Sequence, residues 1–355
     1  MSPTQVPVIA RQIPEGVIPL VAVEGSAYEC GSQYADIVLS RYPGFRLYLD
    51  EAWSWRELGT GEKKLVEKHA PHLIDLFRGI TDVAGPPRKD AAAAPPPAPK
   101  PSPGRSGGCS SFSLSPAVTL DGAPISGQTK DTPLDRVGRY IVLRMRITAA
   151  PTILVLAYPG EVMGYGFWST GMSLFRNTLY AAGPCASGLN YGVVTIVMLS
   201  CRSVDEAAEL VQAHGRNGTG NTLMADAAGK SISVETNAGG QAYIRDVDGI
   251  NVHTNHALRE NTLAFAEYAP GDSESDSVFR HEQLCRRFER ERGRLAPAKV
   301  LALLAEHAGY PLGTCKHRSD NGDITTAAVI AEPTRGLLHV VRGQPCCNWP
   351  VTYSV

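Results

Sequence analysis

The sequence lacks a long apolar run, a surplus of charge of either sign and any obvious targeting segment. Lysine and arginine number 34 and aspartate and glutamate 35, so the formal net charge is -1 and no basic field attracts nucleic acid or anionic lipid. No apolar run approaches the roughly 20 residues of a membrane helix. The first residues, MSPTQVPVIARQIPEG, show no basic segment followed by an apolar one, so we expect a cytoplasmic protein.

Cysteine is present, but without the spacing of a disulfide framework or a metal motif. The eight cysteines include no C-x-x-C pair and lie at positions 30, 109, 185, 201, 285, 315, 346 and 347. We expect most of them to be reduced core residues. His253 and His256 could be considered as metal ligands beside Cys315 and His317. On a strand, residues three apart point to opposite faces, so we expect no metal, and nothing in the sequence calls for an organic cofactor.

Glycine and proline are abundant, with 35 and 26 residues, and they mark a change of composition along the chain. Residues 85–108 read GPPRKDAAAAPPPAPKPSPGRSGG; they can bury no core and are predicted to form an extended linker. The linker separates an N-terminal segment, residues 1–84, from residues 109–355. The N-terminal segment has a strand pattern at 18–24, followed by amphipathic helix patterns in GSAYECGSQYADIVLSRY and LVEKHAPHLIDLFRGI.

The rest of the chain has many short apolar runs separated by glycine and asparagine. The runs predicted to be strands are TILVLAY, YGVVTIVML, SISVET, AYIRDV, TTAAVIA and LLHVVRG. The segments predicted to be helices are SVDEAAELVQAHG, with serine as its N-cap and glycine at its end, DSVFRHEQLCRRFERERG and PAKVLALLAEHAG. Runs of strands and runs of helices favour an α+β fold over a regular βαβ series.

The junction between the linker and the rest of the chain, GRSGG followed by CSSFSL, could support self-cleavage. The thiol of Cys109 can attack the carbonyl of Gly108 and form a thioester by an N-to-S acyl shift, which water then hydrolyses. Gly108 leaves that carbonyl unobstructed. The new α-amine of Cys109, with an ordinary pKa of about 7.7–8.0, is a suitable base for the adjacent thiol. A cysteine after two glycines is more often only the end of a loop, so this junction alone does not establish the chemistry.

Further short segments, in a fixed order, give the chain a resemblance to a known family. They are VEGSAYECGSQY, GCSSFSL, GQTKD, GYGFWSTGMSL, MLSCRSVDEAAEL, VET, HTNHAL, DSVFRHEQL and YPLGTCKH. With these segments the chain resembles the isopenicillin N acyltransferase (acyl-CoA:6-aminopenicillanic acid acyltransferase) family of autoproteolytic cysteine N-terminal-nucleophile hydrolases. The segments span most of the chain outside the linker.

The resemblance implies a catalytic role for three residues. Cys109 matches the nucleophile, and Gly108-Cys109 the bond that is cut in self-processing. Asp131, in GQTKD, matches an aspartate that orients the ammonium or the thiol of the nucleophile. Asn255, in HTNHAL, matches an asparagine whose side-chain NH₂ can donate to the oxyanion of a tetrahedral intermediate. Taken alone, Asp131 would be a turn residue before Thr-Pro, and Asn255 an ordinary residue at a strand end.

Three further positions are implied to bind substrate. Glu235 and Thr236 match positions that line or support the site, although a structural polar pair explains them equally well. Lys316, in GTCKH, stands where the family often has arginine; lysine keeps the charge but not the planar fork that grips a carboxylate. The linker also departs from the ordered helical stretch that precedes the nucleophile in the family.

The resemblance also implies a fold, an activity and partners. The fold is a four-layer α/β/β/α sandwich of the N-terminal-nucleophile hydrolase type in residues 109–355, with the Cys109 strand at its centre and residues 1–84 packed on it. The activity is cleavage or formation of an amide bond in a small N-acyl compound, from an amide or an acyl thioester, through a Cys109 thioester. We expect the two cleaved fragments to stay associated as a heterodimer, and we expect no nucleic-acid or membrane partner.

Two other functions remain open at this point. The chain could be an unprocessed, non-catalytic relic of the same fold that binds a small molecule or a partner, which the atypical linker and Lys316 favour. It could also be a cysteine hydrolase that works without cleavage and uses His253 or His256 as its base. That alternative predicts a strong loss of activity when the histidine is replaced.

Overall fold

The structure, a computed structural model, describes residues 16–87, 108–266, 273–317 and 323–355, with only the backbone for residues 273–275. Most of the linker predicted at 85–108 lies outside these ranges. The strands are β1 (Leu20–Gly25), β2 (Gly108–Leu114), β3 (Ile125–Pro133), β4 (Ile141–Ile147), β5 (Ile153–Ala157), β6 (Tyr165–Trp168), β7 (Ser173–Asn177), β8 (Gly220–Ala225), β9 (Ser231–Asn237), β10 (Gly240–Arg245), β11 (Ile250–His253), β12 (Asp323–Glu332), β13 (Leu337–Arg342) and β14 (Val351–Ser354).

Several of the helices begin at side-chain caps or at proline, which favour a helix start. The α-helices are α1 (Ala27–Arg41), α2 (Arg46–Glu51), α3 (Thr60–His69), α4 (His72–Ala84), α5 (Tyr191–Met198), α6 (Val204–His214), α7 (Glu260–Leu263), α8 (Ser273–Arg290) and α9 (Pro297–Leu304). Ser26 and Glu29 form a capping box at the start of α1, and Ser203 caps α6 as its sequence predicts. None of the helices in the described ranges is long and apolar enough to cross a membrane.

The strands form two sheets. The larger sheet has the order β1-β4-β5-β6-β7-β8-β9-β10, in which only the pair β1 and β4 is parallel. The smaller sheet has the order β11-β2-β3-β12-β13-β14 and is antiparallel throughout. The resemblance led us to expect the Cys109 strand at the centre. The structure instead places this strand, β2, second from one edge of its sheet.

Three cores separate four layers. Between the sheets, Phe167, Phe175 and Leu223 of the larger sheet pack with Val329 and Leu338 of the smaller one. On the outer face of the larger sheet lies a core shared with α1, α3, α4, α5 and α6. On the outer face of the smaller sheet lies a core shared with α8 and α9. Alternate residues of each strand supply the two faces of its sheet, so the arrangement confirms the α+β four-layer α/β/β/α sandwich.

Two local predictions are wrong. YGVVTIVML, predicted as a strand, forms α5, because Asn190 accepts hydrogen bonds from the backbone N–H groups of Gly192 and Val193 and starts a helix. A short run of buried β-branched residues fits either structure until its environment decides. LVEKHAPHLIDLFRGI, predicted as one helix, is divided between α3 and α4, with Pro71 immediately before α4.

Candidate active site

Cys109 is the second residue of β2, and the register with β3 decides which groups surround it. Gly108 lies opposite Asp131, and Cys109 lies opposite Lys130. Because side chains alternate along a strand, Asp131 shares a face with Gly108, while Cys109 shares the other face with Lys130. That second face points to the larger sheet, since Ser111, two residues further along, bonds to Asn177 of β7 at 2.6 Å. Cys109 is 9% exposed.

The backbone of Cys109 is held by three side chains. Its N–H donates to Oδ1 of Asn255 at 2.9 Å. Its carbonyl oxygen accepts from Nη1 of Arg280 at 2.9 Å and from Nδ2 of Asn177 at 3.1 Å. Arg280 also donates from Nη2 to the same Asn255 oxygen at 2.9 Å and from Nη1 to the Ser110 hydroxyl at 2.8 Å. One guanidinium therefore ties the Cys109 peptide to Asn255.

The charge of Arg280 is balanced within its own helix. Its Nε lies 3.0 Å from Oδ2 of Asp276, four residues earlier in α8, and Nζ of Lys316 lies 2.7 Å from the same oxygen. Burial alone would raise the pKa of Asp276, but Arg280 and Lys316 outweigh it and hold that pKa below its ordinary value. Lys316 is 5% exposed, so the structure places it in this buried ion network.

Asp131 stands beside the bond that is predicted to be cut. The Thr325 hydroxyl donates to its Oδ1 at 2.7 Å, whereas its Oδ2 has no hydrogen-bond partner within the described part of the chain. Burial raises the pKa of Asp131, against the opposing effects of Lys316 and Arg280. A carboxyl group with a raised pKa and an unused oxygen can take up a proton and release it.

On the inner face, Lys130 approaches the nucleophile from the neighbouring strand. Its Nζ lies 3.7 Å from the centre of the Tyr165 ring. Burial opposes the positive charge of Lys130, but nearby Tyr165 and Cys109 outweigh it and raise the pKa of the lysine. Burial also raises the pKa of Tyr180, and Cys109 adds to that effect, which places Tyr180 near the thiol as well.

Glu235 and Thr236 point to opposite faces of β9. Glu235 accepts from Leu258 N–H at 2.7 Å and bonds to His253 Nε2 at 2.7 Å and to the Thr262 hydroxyl. Thr236 accepts from Arg216 Nη2 at 2.8 Å, on the helix side of the sheet. Both side chains are fully buried and bonded within the protein. Their role in substrate binding stays a prediction.

The two histidines of HTNHAL also bond to internal partners. His253 Nδ1 lies 2.9 Å from the carbonyl oxygen of Thr254, and its Nε2 is taken by Glu235. His256 Nδ1 lies 2.9 Å from the Ser277 hydroxyl. Burial, with smaller effects from His253, His281 and Arg280, lowers the pKa of His256 to about 3, which makes its ring a weak proton acceptor at neutral pH.

A cavity of about 640 Å³ lies in the described part of the molecule between β10, β11 and α8. Its lining includes Leu258, His281 and Cys285 but not Cys109 or Asp131. Most of its lining surface is apolar. The cavity is therefore a site distinct from the groups around the Cys109 amide.

The four-layer α/β/β/α sandwich is the fold of the N-terminal-nucleophile hydrolase class. Within that class, residues 119–345 match the acyl-coenzyme A:6-aminopenicillanic acid acyl-transferase family, and the chain belongs to this family of acyl-transferring enzymes. The resemblance seen in the sequence is confirmed. The matched range contains Asp131, Asn255, Arg280 and Lys316 but begins after Cys109, so the role of Cys109 depends on the geometry.

Several solved structures are similar to this one at low sequence identity. Two variants of conjugated bile acid hydrolase from Clostridium perfringens are each 11% identical, with 70% of this chain and 97% of that chain covered, at TM-scores of 0.45 and 0.47. Penicillin V acylase from Agrobacterium tumefaciens is 10% identical, with 67% of this chain and 77% of that chain covered, at a TM-score of 0.34. No curated protein matches the sequence.

The structure adds residues to which the sequence analysis assigned no role, chiefly Arg280, Asp276 and Asn177. A signal for two of them was present. Asp276 and Arg280 are four residues apart in DSVFRHEQL, a segment that contributed to the family resemblance, and an acid and a base at that spacing pair on one face of a helix. Asn177 lies at the end of β7, and no motif marks it.

Proposed function

We propose that the chain is a self-processing cysteine amidohydrolase or acyltransferase that acts on a small amide or acyl thioester, with the thiol of Cys109 as its nucleophile. The observation that carries this proposal is the environment of the Cys109 nitrogen. Asn255 Oδ1 accepts its hydrogen at 2.9 Å, and Arg280 holds the same oxygen at 2.9 Å. If this nitrogen becomes a free amine, its acceptor is already in place.

Self-cleavage would begin when the Cys109 sulfur attacks the carbonyl carbon of Gly108. The S–C bond forms, the C–N bond breaks, and the thiol proton ends on the departing nitrogen, which gives a thioester between Gly108 and the Cys109 side chain. Asp131 supports this step because its unused oxygen lies beside Gly108 and its raised pKa suits it to carry a proton to that nitrogen. Water then hydrolyses the thioester and leaves Cys109 with a free α-amine.

Turnover in the cleaved protein would use the thiol and the nitrogen of Cys109, the latter now a free α-amine. The α-amine accepts the thiol proton while the sulfur attacks the acyl carbon of the substrate, and the resulting ammonium returns a proton to the leaving group. Water or an amine then takes the acyl group from the Cys109 thioester. Arg280 and Asn177, which hold the Cys109 carbonyl oxygen, would keep the reacting residue in position.

The orientation of the Asn255 amide favours a role at the amine. Arg280 can only donate and the carbonyl oxygen of Thr178 can only accept, so both neighbours select the same orientation, in which Nδ2 donates to Thr178 at 3.0 Å. We therefore assign Oδ1 of Asn255 to anchoring the Cys109 nitrogen. The oxyanion role that the resemblance implies would use the second hydrogen of Nδ2, because the bond to Thr178 occupies only one of its two N–H donors.

The two fragments would stay together after cleavage. In the N-terminal fragment, β1 pairs with β4 of the larger sheet over six residue pairs, Leu20 to Gly25. Helices α1 and α4 of the same fragment bury apolar side chains in the core on the outer face of that sheet, which belongs mostly to residues 109–355. Strand pairing and apolar burial of this extent favour a stable heterodimer.

The test is the chemical reactivity of Cys109. Protein incubated with a panel of small amides and acyl thioesters, quenched in acid and digested, should carry the acyl group on the peptide that begins with Cys109. Cys109→Ala should lose this adduct, and Cys285→Ser, which removes a different cysteine, should keep it. No adduct with any substrate, together with a Cys109 inert to a thiol reagent, would instead favour the non-catalytic binding protein.

A further inference from the structure

Four side chains of the kinds that bind metal ions meet where two loops come together, the connection between α9 and β12 and the connection between β13 and β14. His307 follows α9, Cys315 and His317 precede β12, and Cys346 follows β13. One ligand atom of each residue lies within 4.8 Å of those of the other three. His253 and His256, considered from the sequence as ligands beside Cys315 and His317, bond instead to Glu235 and Ser277.

The distances in this group fit one small cation. His317 Nε2 lies 3.0 Å from His307 Nε2, 3.0 Å from Cys346 Sγ and 3.9 Å from Cys315 Sγ. A tetrahedral zinc ion, with Zn–N of about 2.0–2.1 Å and Zn–S of about 2.3 Å, keeps its ligand atoms about 3.3–3.8 Å apart. The three distances from His317 lie within a few tenths of an ångström of this range, and the widest separation in the group, within 4.8 Å, needs to close by up to about 1 Å to bind the ion.

Hydrogen bonds alone do not explain the arrangement. A neutral imidazole nitrogen carries either one proton or one lone pair, so Nε2 of His317 cannot satisfy His307, Cys315 and Cys346 together. A cation at the centre uses one lone pair from each of the four ligands. Two thiolates and two neutral imidazoles also balance the double charge of zinc.

We propose that His307, Cys315, His317 and Cys346 bind one zinc ion in a closed, structural site. Four protein ligands leave no position for water, so the ion joins two loops and takes no part in catalysis. This proposal revises the expectation from the sequence that no metal is bound. The ligands come from loops that are distant in the sequence, with His307 and Cys346 outside any recognisable ligand spacing.

The position of the site gives the ion a defined structural effect. Lys316 lies between two of the ligands, and its backbone N–H donates to the Thr325 hydroxyl at 2.8 Å while its ammonium reaches Asp276. The ion would hold the segment that presents this ammonium to the buried ion network. Removing it should therefore loosen the segment 307–317 more than the sheets.

The experiment measures metal content in the full chain. Protein purified in reducing buffer, dialysed against a chelator and reloaded with Zn²⁺ should hold one zinc per chain by elemental mass spectrometry. Reloading with Co²⁺ should give the intense visible bands of tetrahedral cobalt and a thiolate charge-transfer band. His307→Ala and Cys346→Ser, at exposed positions, should each weaken zinc binding at least 100-fold. Cys347→Ser, the neighbouring exposed cysteine, should bind like wild type.

Two results would overturn the proposal. The first is wild-type protein that takes up no zinc after reloading, including the case in which Cys315 and Cys346 form a disulfide whose reduction restores no binding. The second is a Cys346→Ser variant that binds zinc as tightly as wild type. Metal content is read without turnover, so either failure leaves the proposal for Cys109 intact.

Discussion

Gly108 lies directly opposite Asp131 across β2 and β3, and a Cβ at position 108 would come within 2.4 Å of Asp131 Oδ2. No side chain tolerates so close an approach to a carboxylate oxygen. Glycine is therefore needed before the nucleophile because the Asp131 carboxyl group leaves no room for a side chain there, and not only because glycine gives the backbone more freedom. The same contact places the carboxyl group next to the bond that is predicted to break.

Gly108→Ala should slow self-cleavage, on the order of 100-fold, because the new methyl group displaces the Asp131 carboxyl from the scissile bond. The measurement is the time course of the uncut chain by intact mass spectrometry. Gly44→Ala is the matched control, since a Cβ there meets no atom within 4 Å. Equal cleavage rates for Gly108→Ala and wild type would show that Asp131 does not act at this bond.

Arg280→Lys should lower turnover on the order of 100-fold with little loss of folding. Lysine keeps the charge beside Asp276 but has a single nitrogen in place of the fork whose Nη1 and Nη2 reach the Cys109 carbonyl and Asn255 separately. Arg286→Lys, on the exposed side of the same helix, is the control and should behave like wild type. An Arg280→Lys enzyme of normal kcat would mean that charge alone is required there.

Asn255→Asp and Asn255→Ala separate the two roles that are open for Asn255. Aspartate keeps an oxygen acceptor for the Cys109 nitrogen and for Arg280 but loses the NH₂ donor; alanine loses both. If Asn255 anchors the amine, kcat/KM should fall at least tenfold less in Asn255→Asp than in Asn255→Ala. Similar, severe losses in both variants would instead support the oxyanion role.

Asp131→Asn should stabilise the folded chain at neutral pH while abolishing activity. Burial raises the pKa of Asp131 above its unfolded value of about 3.9, so the folded state binds its proton more tightly. Ionisation of Asp131 therefore destabilises the folded state. This destabilisation grows as the pH rises from the unfolded pKa to the folded pKa and persists at higher pH. Asparagine removes this cost, and Tm at pH 7 should rise by about 2 °C or more.

Thermal unfolding across pH checks that sign, in a Cys109→Ala background that keeps every sample uncut. The gain in Tm should shrink as the pH falls from the raised folded pKa toward about 3.9 and should disappear below it, where the carboxyl is protonated in both states. Asp121→Asn is the control. The hydrogen bond between Asp121 and Arg335 lowers the pKa of this exposed carboxyl group, so removing its charge should not stabilise the folded chain. A lower Tm for Asp131→Asn at pH 7 would mean that the ionised carboxylate stabilises the fold.

Local pattern was enough to predict some elements of the fold, while others, such as β3 and β4, had no prediction from the sequence. TTAAVIA and LLHVVRG lie within β12 and β13, and Ser203 caps its helix, because alternation and capping act over a few residues. YGVVTIVML could not be assigned this way, since its apolar residues fit a buried strand or a buried helix. The cap at Asn190 and the packing on the larger sheet decide the outcome.

The site could be predicted only where a motif marked it. Asp131 and Asn255 came from the family resemblance, and the structure brings both to the Cys109 amide, though their roles stay predictions. Arg280 was not singled out because its contact with Cys109 joins residues 171 positions apart and depends on how α8 packs on the smaller sheet. The cluster at His307 and Cys346 likewise depends on loops that only the folded chain brings together.

Intact mass spectrometry of the freshly purified protein tests the central claim most directly. The wild-type chain should separate on denaturation into residues 1–108 and 109–355, with Cys109 as the new N-terminus, and both fragments should coelute before denaturation. Cys109→Ala should remain a single chain of 38.0 kDa, and Cys109→Ser should cleave slowly, since the hydroxyl is the weaker nucleophile. A wild-type chain that stays at 38.0 kDa for days would contradict the account.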